Sequence, residues 1–141
     1  MHTTINQLDY YIHALLSHLS KNESAILKLV PYDINIQEFR IIYFIGQHGE
    51  KKMNDIANAL QLSISNVSII VDKLVTKRLV KRINSTQDRR VIYITMAPVG
   101  EKIYRLMKKK HSELYQKLLN SLSLKEQKTL LELFDKMFNQ K

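Results

Sequence analysis

Residues 62–96 read LSISNVSIIVDKLVTKRLVKRINSTQDRRVIYITM, and the run changes character once, near Leu79. Before that point Val67, Ile70, Val71, Leu74 and Val75 recur at i, i+3, i+4, i+7 and i+8, the spacing of one helix face, with Ser63 where an N-cap hydroxyl is wanted. After it, Val91, Ile92, Tyr93, Ile94 and Thr95 form the β-branched and aromatic run that makes a strand, and Val80 to Ile83 supply its partner. Asn84 to Arg90 then becomes a hairpin tip. The stretch predicts a helix opening on Ser63 with a strand pair behind it.

Toward the N-terminus, Met53, Ile56, Ala57 and Leu60 give a short helix, joined to the Ser63 helix by a tight turn at Gln61 to Ile64. Phe39, Ile42 and Tyr43 form the inner face of another. Asn35 and Glu38 have capping-box spacing, in which the amide accepts from an early N–H and the carboxylate reaches back, while Gly46 and Gly49 are expected to end that helix. Pro31 separates it from a first helix over Ile5 to Leu19, where Leu8, Ile12, Leu15 and Leu19 form a stripe widened by Tyr11 and Leu16. A helix apolar on more than one side needs more than one neighbour, so this one can face both its own chain and a partner.

Toward the C-terminus, Thr95 or a close neighbour is expected to cap a long helix through Ile103, Leu106, Met107, Leu114 and Leu118, in whose first turn Pro98 is harmless. Ser123 and Glu126 make a second capping box. The helix they open carries Leu130, Leu131, Phe134, Met137 and Phe138 on one face. The whole predicts a mainly α fold with a small β-hairpin, organised as a single domain over 1–141 with no internal repeat.

Composition agrees. Only 3 Gly and 2 Pro in 141 residues leave little room for a loop-rich or all-β fold, and 45% hydrophobic with 25% charged residues is ordinary for a globular chain. The absence of cysteine excludes disulfides, thiolate zinc sites and thiol redox sensing. The N-terminal residues lack the basic and apolar regions of a secretion signal and no run reaches the length of a membrane span, so a cytoplasmic location with no membrane partner is expected. The net charge of +9 favours polyanions. Between 73 and 90 stand Lys73, Lys77, Arg78, Lys81, Arg82, Arg89 and Arg90 against one acid, Asp88.

Two short helices joined by a tight turn and followed by a basic hairpin make a winged helix-turn-helix, whose second helix fits a major groove about 12 Å wide. Ser63, Ser65, Asn66 and Ser68 lie at the end of that helix able to reach base edges or phosphates. The same residues would serve a plain core helix as caps, and the adjacent KRLVKR and STQDRR favour DNA. On a narrow projection Arg89 and Arg90 can enter a minor groove, where negative potential is focused, with Asp88 holding one of them by a charge-assisted bond. Lys73, Lys77 and Arg78 are further candidates for DNA contact. Of Lys81 and Arg82, alternation along the strand lets one face the duplex, and Arg82 is favoured.

The run IQEFRIIYFIGQHGEKKMNDIANALQLSISNVSIIVDKLVTKRLVKRINSTQDRRVIYITMAPVG, residues 36–100, is similar to the core of the MarR family. The most specific pieces are Asp88-Arg89-Arg90, then YITMAPVG where that family has LT-x-x-G, and VDKLVTKRLVKR where it has a variant of VDRLExxGLVxR. The resemblance implies a winged lobe over about 34–97 flanked by dimerisation helices at 1–30 and 98–141. It further implies a homodimer on a near-palindromic operator, repression, and release by a small aromatic or phenolic effector. Arg90 matches the family's minor-groove arginine and Asp88 the acid that orients it. Two departures stand out: Ile69 occupies the place of a frequent arginine, and Arg78 that of the glycine ending the helix, where a left-handed Cβ costs about 1 kcal/mol.

Other classes find less support. No nucleophile with a base, phosphate loop or metal-ligand cluster is present, so neither enzyme activity nor a cofactor is expected. His2, His13, His18, His48 and His111 are scattered, and the five-residue step from His13 to His18 puts them off a common helix face, so no metal site is expected. Tyr11, His13, Tyr32 and Tyr43, apolar bodies with polar tips, are candidates for the effector pocket, and also suit ordinary core or interface positions. The alternative to an operator-specific repressor is a non-specific architectural DNA binder or a protein-interaction adaptor on the same scaffold.

Overall fold

Most of the expected apolar stripes lie on helices of this computed structural model, which describes residues 2–139. In chain order the elements are α1 (His2–Leu29), α2 (Ile36–His48), β1 (Lys51–Lys52), α3 (Met53–Leu60), α4 (Ile64–Thr76), β2 (Val80–Asn84), β3 (Ile92–Met96), α5 (Pro98–Leu119) and α6 (Leu124–Phe138). The strands form one antiparallel sheet in the order β1-β3-β2, with Val80 opposite Met96, Asn84 opposite Ile92, and Lys51 and Lys52 opposite Ile94 and Tyr93. The mainly α fold with a β-hairpin is therefore present. The strand β1 is an addition that a two-residue segment gave no periodicity to announce.

The chain divides into two compact units, one up to Lys108 and one from Lys109. The first holds the core. Phe39, Ile41, Ile42 and Ile45 of α2, Ile56 of α3, Val67, Val71 and Leu74 of α4, Ile94 of β3 and Met107 of α5 are buried together. Removing such a side chain leaves a cavity, and Leu74→Ala belongs to a class that costs about 2–5 kcal/mol. In the second unit, Ser123 and Glu126 form the expected capping box: Ser123 Oγ accepts from Glu126 N–H at 3.1 Å, and Glu126 Oε1 accepts from Ser123 N–H at 2.9 Å. Those bonds hold the Glu126 carboxyl below its usual range, through the bond from the Ser123 backbone first. Leu124, Leu131, Phe134, Met137 and Phe138 on α6 are exposed.

Several local expectations change. The first helix runs well past Leu19, because Ile26 and Val30 beyond the polar segment SKNES reach the core and hold its last turns. Gly46 does not end α2. It lies inside the helix against Tyr104 of α5, where a Cβ would come 2.2 Å from the ring, so the glycine lets the two helices approach. Gly100 does the same at the start of α5, where a Cβ would come 2.1 Å from the Leu79 carbonyl. Thr95 belongs to β3, and α5 starts at Pro98 with Glu101 N–H bonding the Ala97 carbonyl at 2.9 Å.

Candidate nucleic-acid interface

The turn into α4 is made by Gln61, in left-handed conformation at φ 55°, which ends α3 and sends the chain back. Ser63 Oγ then accepts from Asn66 N–H at 3.1 Å, the expected N-cap. With Val67, Ile70, Val71 and Leu74 buried, α4 presents Ser65, Asn66, Ile69, Asp72 and Lys73 to solvent, while Ser68 is half-buried. Ile69 is 55% exposed, so α4 carries an apolar side chain on its outward face. At the other end Arg78 adopts φ 62°, and Leu79 N–H returns to the Leu74 carbonyl at 2.9 Å, closing the helix as a glycine would.

The hairpin tip is bound to itself. Ser85 Oγ accepts from Gln87 and Asp88 N–H at 3.2 and 3.3 Å, Ser85 N–H reaches the Val91 carbonyl at 2.9 Å, and Asn84 Nδ2 donates to the Arg89 carbonyl at 3.3 Å. Within this frame Asp88 Oδ1 accepts from Arg90 N–H at 3.0 Å and Nε at 3.2 Å, and Oδ2 accepts from an Arg90 terminal nitrogen at 3.3 Å. The guanidinium side-chain bonds, then the backbone bond, hold the Asp88 carboxyl below its usual range. The Arg90 side chain is nonetheless 91% exposed. The tip therefore presents a cation already oriented by a carboxylate.

Two expected contacts find other partners. Lys77, a candidate for DNA contact, turns inward: its Nζ donates to Glu38 Oε2 at 2.7 Å and to the Asp33 carbonyl. This also corrects Glu38, whose carboxylate is buried against Lys77 instead of reaching back to Asn35; Asn35 Oδ1 still caps α2 by accepting from Glu38 N–H at 2.8 Å. Arg82 is paired with Asp72 of α4, so it offsets the acid on the outward face of that helix. Arg89 is exposed.

A contribution absent from the sequence reading comes from the residues before α3. Lys52 and Asn54 share a groove of about 380 Å³ with Arg90, Val91 and Ile92, and the Lys52 ammonium lies 5.9 Å from the Tyr93 ring centre. The basic pair Lys51-Lys52 was the available signal. The four effector candidates do not share one lining. Tyr32 lines a groove of about 300 Å³ with Val30, Pro31, Val99, Lys102, Ile103 and Leu106, a set that includes none of the other three. Tyr43 packs on Tyr104 with centroids 5.7 Å apart, Tyr11 is exposed on α1, and His13 Nε2 sits 3.2 Å from Asp9 Oδ1 on the same helix. No single helix among the described residues is long and apolar enough to cross a membrane.

The sequence model of the MarR family matches residues 34–92. The chain is similar to YpoP, described as an uncharacterized HTH-type transcriptional regulator of Bacillus subtilis (strain 168), with 31% identity over 132 residues covering 93% of this chain and 94% of the relative. A second such regulator of that organism, YfiV, is 31% identical over 86% of this chain and 74% of its own. Among solved structures, Streptococcus pneumoniae FabT in complex with DNA has a TM-score of 0.82 at 22% identity, covering 95% of this chain and 94% of that one. A MarR family protein from Bacillus stearothermophilus has a TM-score of 0.82 at 21% identity, covering 99% and 96%. At those identities the structural likeness is one of fold.

Proposed function

This chain belongs to the MarR family of DNA-binding transcription regulators, and from that premise we propose that it is a cytoplasmic repressor that binds a near-palindromic operator as a homodimer and is released by a small aromatic or phenolic ligand. The observation that carries the DNA reading is the wing tip, where Asp88 orients an almost fully exposed Arg90, in a chain whose capped α4 also presents Ser65 and Asn66 to solvent. A neighbour of the same fold was crystallised on DNA, which supports the same use of the fold here. Under this reading Arg89 and Arg90 enter the minor groove, Ser63, Ser65, Asn66, Ser68 and Lys73 face the major groove, and Arg78 meets phosphate.

Dimerisation is supported by what the terminal helices leave uncovered. On α1, Ile5, Leu8, Ile12 and Leu16 are exposed in one stripe, and α6 exposes its own apolar row. Stripes of that kind on a folded chain mark association surfaces. For the ligand, the groove at Tyr32 offers apolar walls, a phenol and the Lys102 ammonium, a set that suits an aromatic carboxylate.

The test is selection of duplex fragments from the source genome by the purified protein, followed by titration of the retained fragment against a random duplex at physiological salt. Preference of about a thousandfold or more supports an operator-specific regulator. Equal affinity would leave an architectural binder or an adaptor in its place.

A further inference from the structure

Lys77 directly follows α4, and its ammonium group joins three segments of the chain. Glu38, which accepts from it at 2.7 Å, stands in the first turn of α2, and Asp33, whose carbonyl also accepts, lies in the connector that leaves α1. The Glu38 side chain is 3% exposed and that of Lys77 29%. The signs suit both helices, since a cation is favoured at a helix C-terminus and an anion at an N-terminus. A carboxylate buried this far depends on its partner, because removing one member strands the other's charge.

The tie sits at one end of a lever. Ser65 lies about 18 Å along α4 from Lys77, so a tilt of about 5° at Lys77 moves it by about 1.6 Å, more than a base-edge hydrogen bond tolerates. The connector at Asp33 leads back to α1, whose exposed stripe is assigned above to the dimer contact.

We propose that Lys77 and Glu38 are positioning residues for DNA recognition: their ion pair fixes the inclination of α4 against the α1–α2 corner, and so the spacing of the two recognition helices in the dimer. The proposal rests on the operator-binding reading above. Neither residue needs to touch DNA. Binding to random duplex, which depends on phosphate neutralisation, should not require the tie, whereas simultaneous engagement of two half-sites should.

The experiment titrates the wild-type protein, Lys77→Met and Glu38→Gln against the genomic fragment retained by the wild type and a random duplex of equal length, over a salt series. Each variant is expected to lose tenfold or more of the preference for the fragment, to hold random-duplex affinity within about twofold, and to keep its salt slope. A Lys77→Met protein that weakens on both duplexes alike, with the slope flattened by about one, is missing a phosphate contact and overturns the proposal. Preference retained by Glu38→Gln overturns it too, and that near-isosteric variant removes the ion pair with little change of shape if Lys77→Met fails to fold. A wild type without preference would instead remove the operator reading, and this proposal with it. Because the chain has no cysteine, Lys28→Cys and Lys73→Cys can carry spin labels on α1 and α4. Glu38→Gln should broaden the distance distribution between them, and an unchanged distribution counts against the tie as a positioning device.

Discussion

At the wing tip Arg90 stands beside Asp88, and at the end of α4 Lys77 stands beside Glu38. The side-chain exposures are 91% and 42% for the first pair, 29% and 3% for the second. An exposed ion pair adds little to stability, so under the proposed operator binding Asp88 serves to narrow the rotamers of Arg90 before docking, which lowers the entropy lost on binding. In the buried pair neither charge can be removed without stranding the other, and the pair fixes geometry instead. The two cations come from one basic stretch of sequence, and the burial of the partner acid separates their tasks.

The largest expected effect breaks the exposed side of that contrast. Arg90→Ala should lower affinity for the retained genomic fragment by about 10–100-fold in a fluorescence anisotropy titration while leaving the melting temperature unchanged. Unchanged affinity would mean the tip does not enter the groove. Asp88→Asn should cost less, about three- to tenfold, again with no change in melting. Since its bonds to Arg90 hold Asp88 below the usual carboxylate range, the acid stays ionised and the wild-type advantage over Asp88→Asn should persist from about pH 8 down to about pH 5. A variant that binds more tightly than wild type would show that removing a negative charge outweighs orientation.

Asp72→Asn sharpens the comparison at smaller amplitude. Freed of its acid partner, Arg82 should raise random-duplex affinity about two- to threefold and steepen the salt slope, measured in the same titration. No steepening would place Arg82 outside the phosphate track.

The smallest effect concerns a buried group. Burial holds His111 below the ordinary histidine range, so the unfolded chain takes up its proton at higher pH than the folded one. The resulting stability is present above the unfolded value and lost as pH falls. Melting temperature should therefore drop from about pH 7 to about pH 5, less steeply in His111→Gln, with fragment affinity at about pH 7 unaltered. An equal slope in the variant would remove His111 as its source.

The sequence carried the fold wherever a stripe was long enough to repeat. The α4 stripe, the β-branched run of β3 and the Ser123 and Glu126 box each specify their element locally, and each appears where the spacing puts it. Lys51-Lys52 pairs with β3 over two residues, too short a run for an alternating side-chain pattern to mark it. Gly46 carries two meanings, helix end or close approach, and only the Tyr104 ring across from it decides. The site divides the same way. Asp88 and Arg90 are two residues apart and their bond is local, whereas the partners of Lys77 and Arg82 come from α2, its preceding connector and α4, distances in sequence that spacing cannot bridge.

The short strand β1 has a mechanical consequence. It pairs with β3 at Ile94 and Tyr93 and stops there, so the sheet is three strands wide at those two residues and two strands wide from Ile92 to the tip. A load applied at Arg90 then bends the wing at that step, as a cantilever bends where it leaves its clamp. Under the proposed operator binding, duplexes of different minor-groove width would be followed by flexure of residues 84–92 while the root stays in register with α3, which continues directly from β1.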